Sequence, residues 1–279
     1  NGIRVSEHMH RRCAALTHAD AQRGYLRFIR TRDGANSLDS ETLGFWRLYP
    51  FIENAVGKMI PSAPSEAYSA GEAFGKFQNL LADMPPPRLH ETIARFHDTR
   101  WRYDNLEAAA SKDACGRLAG CRDVLDGLRE LRDAALVVQV AAEAGRIPER
   151  VVHNDAKLSN VLLDSKDGHA VCVIDLDTCM PGLVLHDFGD LMRSICSSKD
   201  EDTEHPEEIE VREDMFAALH AGYVAGAAGM LTAEEEALLP ESGAVLTLEV
   251  AVRFLADYLS GDVYFRVKHP EHNLVRARA

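Results

Sequence analysis

The segment VLLDSKDGHAVCVIDLDT, residues 161–178, constrains the fold of this chain more than any other. Val161–Asp164 and Ala170–Thr178 are apolar, β-branched runs separated by the turn residues Ser165–Gly168, the pattern of a β-hairpin. Polar residues bound it on both sides. HNDAKLSN, His153 to Asn160, precedes it, and Asp175 and Asp177 lie on its second run. One hairpin therefore gathers a histidine, two asparagines, a lysine and several acids onto its flanks, a density of proton- and cation-binding groups that a purely structural turn does not need.

Upstream, Ile3–Leu16 reads as a short helix, and Tyr25–Thr31, the turn RDGAN and Gly44–Ile52 read as an antiparallel meander. Ala67, Ala70, Phe74, Phe77 and Leu81 recur at helical spacing until the triple proline Pro85–Pro87 stops them. Residues 88–105 mix aromatic and charged groups without a period, and Asp123–Ala144 returns to helix, ended by Gly145 and Pro148. Beyond the hairpin the chain is helical: Asp187–Ser197, Val211–Ala228 after a solvated acidic approach, a capping box at Thr232 and Glu235, and Glu241–Leu259 closed by Gly261. The class is α+β, a small β-containing unit followed by a large helical one.

Acidic residues outnumber basic ones, 44 against 31, for a net charge of −13, and no basic stripe is present. Nucleic acid and anionic membrane surfaces are thereby disfavoured as partners. The six cysteines form no CxxC pair, and no apolar run reaches membrane-spanning length, so the expectation is a cytoplasmic protein with reduced thiols.

His153-x-Asp155-x4-Asn160 has the spacing of the protein-kinase catalytic loop HRDxxxxN, and Asp175 stands where the metal-binding acid of the DFG motif would follow. Phosphoryl transfer needs these residue types. Mg2+ takes hard oxygen ligands, which Asn160 and Asp175 supply, and Asp155 orients an acceptor hydroxyl and takes its proton late. Asp177 reads either as a second ligand or as a cap on a turn at Met180–Gly182. His153 reads as a loop organiser in preference to an acid or base, and Lys157 as a cation that neutralises the transferred phosphoryl group in preference to a solvated lysine. A calcium loop of EF-hand type is excluded, because the alternating acids, glycine and distal glutamate that it needs do not follow Asp155.

HNDAKLSN together with CVIDLDTCMPGLVLHDFGDLMR resembles the aminoglycoside phosphotransferase and choline kinase superfamily. Within it, FWRLYPFIE, AGEAFGKFQNLLADM, RLHETIARFHDT and LEVAVRFLADYLSGDVYFRVKHPEHNLVRAR are similar to the bacterial N-acetylhexosamine 1-kinases. The resemblance implies a bilobal kinase-like fold, with residues 1–54 as a partial N-lobe and hinge and 55–279 as the helical C-lobe. It implies ATP and Mg2+ as cofactors and a sugar acceptor phosphorylated on its anomeric hydroxyl. By motif, Asp155 is the base, Asn160 and Asp175 hold Mg2+, backbone around Phe51 and Ile52 meets adenine, and Leu162 floors the adenine pocket. Arg253 and Tyr264 are the residues expected to grip the sugar. From the residues alone, Arg253 also fits a helical charge ladder with Glu249 and Asp257, and Tyr264 an ordinary half-buried aromatic. Asp187 resembles the aspartate that braces the catalytic loop, and the letters DFG at 187–189 are expected to open a helix, not to bind metal.

The family's glycine-rich phosphate loop and strand lysine are not found in these residues, so a fragment is expected, with Glu7 a candidate for the helix glutamate. Two other readings remain beside the sugar kinase: the same mechanism on choline, an aminoglycoside, homoserine or another small alcohol, and a catalytically incomplete kinase-like binding protein.

Overall fold

The structure is a computed structural model and describes residues 1–13 and 23–279. The amphipathic opening folds as α1 (Gly2–Arg12), which buries Val5 and Met9. The end of the helix expected over 3–16 lies outside the described residues. Strands β1 (Leu38–Ser40) and β2 (Gly44–Trp46) pair antiparallel, with Leu38 opposite Trp46. This corrects the expected meander: Tyr25–Thr31 is not strand, and among the described residues its backbone joins that of the second segment through one bond, Ile29 N–H to Leu48 O at 2.9 Å. The three residues between β1 and β2 close a local pair at less entropic cost than the longer loop from Thr31. Strand β3 (Ala55–Gly57) leads into α2 (Pro64–Leu81), which starts with proline at its first position and buries the expected Ala67, Ala70, Phe74, Phe77 and Leu81.

Helix α3 (Thr99–Lys112) falls in the aperiodic stretch. Asp98 caps it, accepting from Trp101 N–H at 3.0 Å, and its buried stripe is Thr99, Tyr103, Leu106 and Ala110, half of it polar or small. The helix expected over 123–144 is three pieces, α4 (Arg122–Glu130), α5 (Arg132–Ala135) and α6 (Val137–Glu143), broken at Leu131 and Leu136. Strand β4 (Arg150–Val152), the hairpin β5 (Val161–Asp164) and β6 (Ala170–Val173), and β7 (Met180–Gly182) follow. Strands β4 and β7 pair antiparallel, Val152 opposite Met180, so the turn expected at Met180–Gly182 is a strand instead. The hairpin is nested inside this outer pair, and β3 joins it as a third strand with Gly57 opposite Leu162.

Helices α7 (Val184–Ile195), α8 (Glu213–Ala227), α9 (Ala233–Ser260) and α10 (His272–Arg278) complete the chain. The capping box at Thr232 and Glu235 is formed, but it opens one 28-residue helix that runs through Pro240 to Gly261. Pro240 withholds an N–H, and the buried face of Leu239, Ser242, Val245 and Leu246 carries the helix past it. Between α2 and α8 the backbones themselves touch, since Gly71, Gly75, Gly222 and Gly226 each face a carbonyl of the other helix. One apolar core lies around α1, α2, α7, α8 and the hairpin, and a second joins α3, α4, α9 and α10.

Candidate active site

The loop after β4 is built on Asp187. From the first turn of α7, this fully buried carboxylate accepts His153 N–H at 2.8 Å, Asn154 N–H at 2.7 Å and the side-chain N–H of Gln78 on α2. Burial pushes its carboxyl above the usual range, and the His153 ring and the two backbone donors act against that. The residues DFG at 187–189 lie within α7, as expected. His153 is buried edge-on between Phe74 and Phe77, and its Nε2 bonds Ile174 O at 2.9 Å, the organising part expected of it. Asn154 takes the left-handed conformation (φ 64°) and donates Nδ2 to Thr178 O at 3.2 Å. Gly182 leaves it room: a Cβ there would lie 3.0 Å from Asn154 Oδ1 and 2.5 Å from Val152 Cγ2.

Asp155, Lys157 and Asn160 come together. Asn160 Nδ2 donates to Asp155 O at 2.8 Å and to Asp155 Oδ2 at 2.9 Å, and Lys157 Nζ stands 3.0 Å from the same Oδ2. The amide nitrogen of Asn160 is thus committed, and its Oδ1 has no protein partner among the described residues. Asp175 is tied to this loop through its neighbour: Ile174 N–H donates to Asn160 O at 2.9 Å while Ile174 O meets His153. Strand β6 ends at Val173, so Asp175 is not on a strand as expected but in a left-handed conformation (φ 61°) before a single 3-10 turn. Its carboxylate is exposed and unpaired among the described residues. Two oxygen donors, Asn160 Oδ1 and the Asp175 carboxylate, are left for a hard divalent cation, and the donor chemistry fits one.

Asp177 caps no turn, since Met180–Gly182 is strand, and it is paired instead. Arg47 grips it in a two-point pair at 2.6 and 2.5 Å, and that bond holds its carboxyl below the usual range. Glu7 pairs with Arg30 at 3.0 Å. Leu162 is half-buried on the face of β5 opposite the fully buried Val161 and Leu163, across from Gly57. Phe51 is 89% exposed, and Ile52 is half-buried against the larger core.

On α9, Arg253 is in no charge ladder among the described residues. Glu249 is taken by His97 and Thr99, at 2.7 and 2.6 Å, and Asp257 by backbone N–H groups of Val263, Tyr264 and Phe265 at 2.8–2.9 Å and by Asn273. The guanidinium is left against aromatic faces, 5.1 Å from Phe96, 5.5 Å from Phe265 and 5.9 Å from Tyr264. Tyr264 is 68% exposed, more than the half-buried aromatic that its sequence allows. The described residues hold two further acid–histidine groups, Asp164 with Asp167 and His169, and His205 with Glu207 and Glu208, all exposed except the buried Asp164.

The sequence profile of the phosphotransferase enzyme family matches residues 4–229. The chain belongs to that family. This phosphotransferase is similar in fold to an amicoumacin kinase solved with AMP-PNP, Ca2+ and amicoumacin (TM-score 0.57, 10% identity, 100% of this chain and 76% of that one). It is also similar to a microcompartment-associated aminopropanol kinase (TM-score 0.51, 16% identity, 98% and 78%). A choline/ethanolamine kinase family protein from Mesorhizobium loti matches as well (TM-score 0.52, 14% identity, 99% and 83%). The phosphotransferase therefore has the protein-kinase-like fold expected, a small sheet part and a mainly helical C-lobe. Among its described residues no helix is long and apolar enough to cross a membrane.

Reasoning from sequence missed Gln78, His97, Glu249, Asp257 and Arg47. Glu249 and Asp257 do carry a signal, because two acids four residues to either side of Arg253 form a ladder only if nothing else competes for them.

Proposed function

We propose that this phosphotransferase is an ATP- and Mg2+-dependent kinase that moves the γ-phosphate to the anomeric hydroxyl of an N-acetylhexosamine. The observation that carries the phosphoryl-transfer part is the Asp155 carboxylate held by the Asn160 amide and Lys157, beside two oxygen donors left free. Asp155 is fixed by Asn160 so that Oδ1, which has no partner among the described residues, faces an acceptor hydroxyl and takes its proton as the bond to phosphorus forms. Lys157 shares its charge between Asp155 and the incoming phosphoryl oxygens. Asn160 Oδ1 and Asp175 would hold the metal; the chemistry Mg2+ would supply when bound is neutralisation of charge on the phosphate oxygens. Backbone at Phe51 and Ile52, with Leu162 beneath, forms the adenine site at the junction of residues 1–54 with the helical part.

The acceptor class rests on Arg253 and Tyr264. A guanidinium among aromatic faces, with no carboxylate partner among the described residues, suits a neutral acceptor with carbonyl and hydroxyl groups, and repels choline or a polyamine. The aromatic faces around Arg253 already hold a cation, so they are not an open cage for a second one.

The test is ADP release with ATP and Mg2+ across N-acetylglucosamine, N-acetylgalactosamine, choline, homoserine and kanamycin. Turnover confined to the two acetylated sugars is the expected result. Turnover with choline or kanamycin in their place overturns the acceptor assignment and leaves the phosphotransferase intact.

A further inference from the structure

Between the helix that carries Arg253 and the loop that carries Asp155 lies one buried side chain that neither the nucleotide nor the acceptor assignment uses. His97 precedes α3, and its side chain is 9% exposed. Its Nδ1 is 2.7 Å from Glu249 Oε1 and its Nε2 is 3.4 Å from Asn154 O, the carbonyl immediately before Asp155. Glu249 is fully buried, one helical turn before Arg253, and its other oxygen accepts Thr99 Oγ1 at 2.6 Å. Phe96, beside His97 in the chain, packs on the His97 ring at 4.5 Å and on the Arg253 guanidinium at 5.1 Å.

We propose that His97 is a positioning residue that ties the Arg253 wall of the acceptor site to the catalytic loop, through Glu249 on one ring nitrogen and the Asn154 carbonyl on the other. The inference rests on the acceptor assignment of the preceding section only in what it says of Arg253. Both ring nitrogens face acceptors alone, a carboxylate and a carbonyl, and the doubly protonated imidazolium is the one form that donates to both. The groups facing the ring favour it on balance. Burial and Arg253 oppose the charge, while Glu249 on α9 and Asp190 on α7 favour it, and the net effect lifts His97 above the ordinary imidazole range. Its ring neighbour His186, also on α7 and tilted 40° against it at 4.8 Å, is driven by burial and by His97 down to about 3 and stays neutral; Asp187, on the same helix, also feels the His97 charge.

The device has a direction. When His97 loses a proton, the remaining one stays with charged Glu249, and the Asn154 carbonyl loses its donor. The tie is complete below the raised pKa of His97 and released as pH rises through it. Glu249→Gln reverses the logic. The introduced amide would accept the Thr99 hydroxyl through its oxygen and donate its N–H to Nδ1, so a neutral ring keeps its proton on Nε2, facing Asn154, at every pH. In His97→Gln one amide cannot span both partners.

The experiment is a pH titration of the uniformly 15N-labelled full chain, following the Asp155 backbone amide and the histidine ring signals, with transfer to N-acetylglucosamine measured alongside. In the wild type the Asp155 amide shift should follow the His97 titration above the ordinary imidazole range. In Glu249→Gln it should hold still across that range, and in His97→Gln it should be displaced at all pH values. Transfer should lose its alkaline limb in Glu249→Gln, and kcat should fall about tenfold to a hundredfold in His97→Gln with the nucleotide KM little changed, the scale of a small misplacement of a reacting group. An Asp155 amide indifferent to both the His97 titration and His97→Gln overturns the inference. Silence toward N-acetylglucosamine with an Asp155 amide that still follows His97 refutes the acceptor assignment and leaves the tie standing.

Discussion

The glycines between α2 and α8 set how closely these two helices pack, and a single methyl tests this. In Gly71→Ala the new Cβ would lie 2.3 Å from Leu219 O, where ordinary contact begins at 3.4 Å, so the two backbones must part by about 1.1 Å. Neither side can yield locally, because the obstacle is helical backbone. Parting the helices at Gly71 also opens the contacts of Gly75 with Tyr223 O, Gly222 with Tyr68 O and Gly226 with Glu72 O, at 2.3, 2.1 and 2.2 Å on the same measure. Overpacking of this kind costs roughly 3 kcal/mol, and the better helix propensity of alanine offsets about 1 kcal/mol. The net loss expected is therefore about 2 kcal/mol. Gly127→Ala is the control, a helical glycine with nothing within 4 Å of the added Cβ, and it should gain up to about 1 kcal/mol. Urea unfolding at unchanged m-value reads both. Activity should fall with Gly71→Ala as well, since α2 carries Gln78 to Asp187 beneath the loop. Equal midpoints for Gly71→Ala and Gly127→Ala would refute close backbone packing as the reason for these glycines.

Asp257→Ala removes the acceptor of three part-buried backbone N–H groups at Val263–Phe265; with about 1.5–3 kcal/mol at stake per hydrogen bond to a charged group, the acceptor KM should rise about tenfold or more while the nucleotide KM stays within about twofold. Steady-state kinetics in each substrate separates the two, and equal rises would mean that the loop supports the whole fold. Glu249 gives a pH signature of stability. Burial works against its charge, but His97 and Thr99 hold its carboxyl down to about 2 from an ordinary 4.5. A depressed acid stabilises above its unfolded value and loses that contribution as pH falls, so the loss should fall between pH 4.5 and about 2. In Glu249→Gln the drop in urea midpoint across that window should shrink, and an unchanged drop would assign acid unfolding to other groups.

What the sequence disclosed and what it hid follow from the range of the forces involved. The hairpin, the loop residues Asp155 and Asn160, the capping box at Thr232 and the helix ended by Pro85–Pro87 rest on local rules of turn, cap and period, and these were legible. The N-terminal pairing was not, because Tyr25–Thr31 has strand composition and nothing local reveals that Leu38–Ser40 takes the place beside Gly44–Trp46. Helix α3 was hidden by Arg and Trp between its buried positions, and the break of the 123–144 helix by leucines that suit either outcome. At the site, residue types pointed to chemistry but not to partners. Asp177 was open between two roles and turned to Arg47, 130 residues away in sequence. Glu249 and Asp257 looked like the partners of Arg253 and serve His97 and the Tyr264 loop. Such choices among competing ion pairs are made by tertiary contacts that no spacing encodes.

The central claim is that Asp155 takes the acceptor proton in phosphoryl transfer. Single-turnover transfer from ATP in Asp155→Asn, with nucleotide affinity measured on the same protein, addresses it most directly. The expected result is a rate lower by about 10²–10⁴-fold with nucleotide affinity close to wild type. A transfer rate within a few-fold of wild type would contradict it and move the base elsewhere.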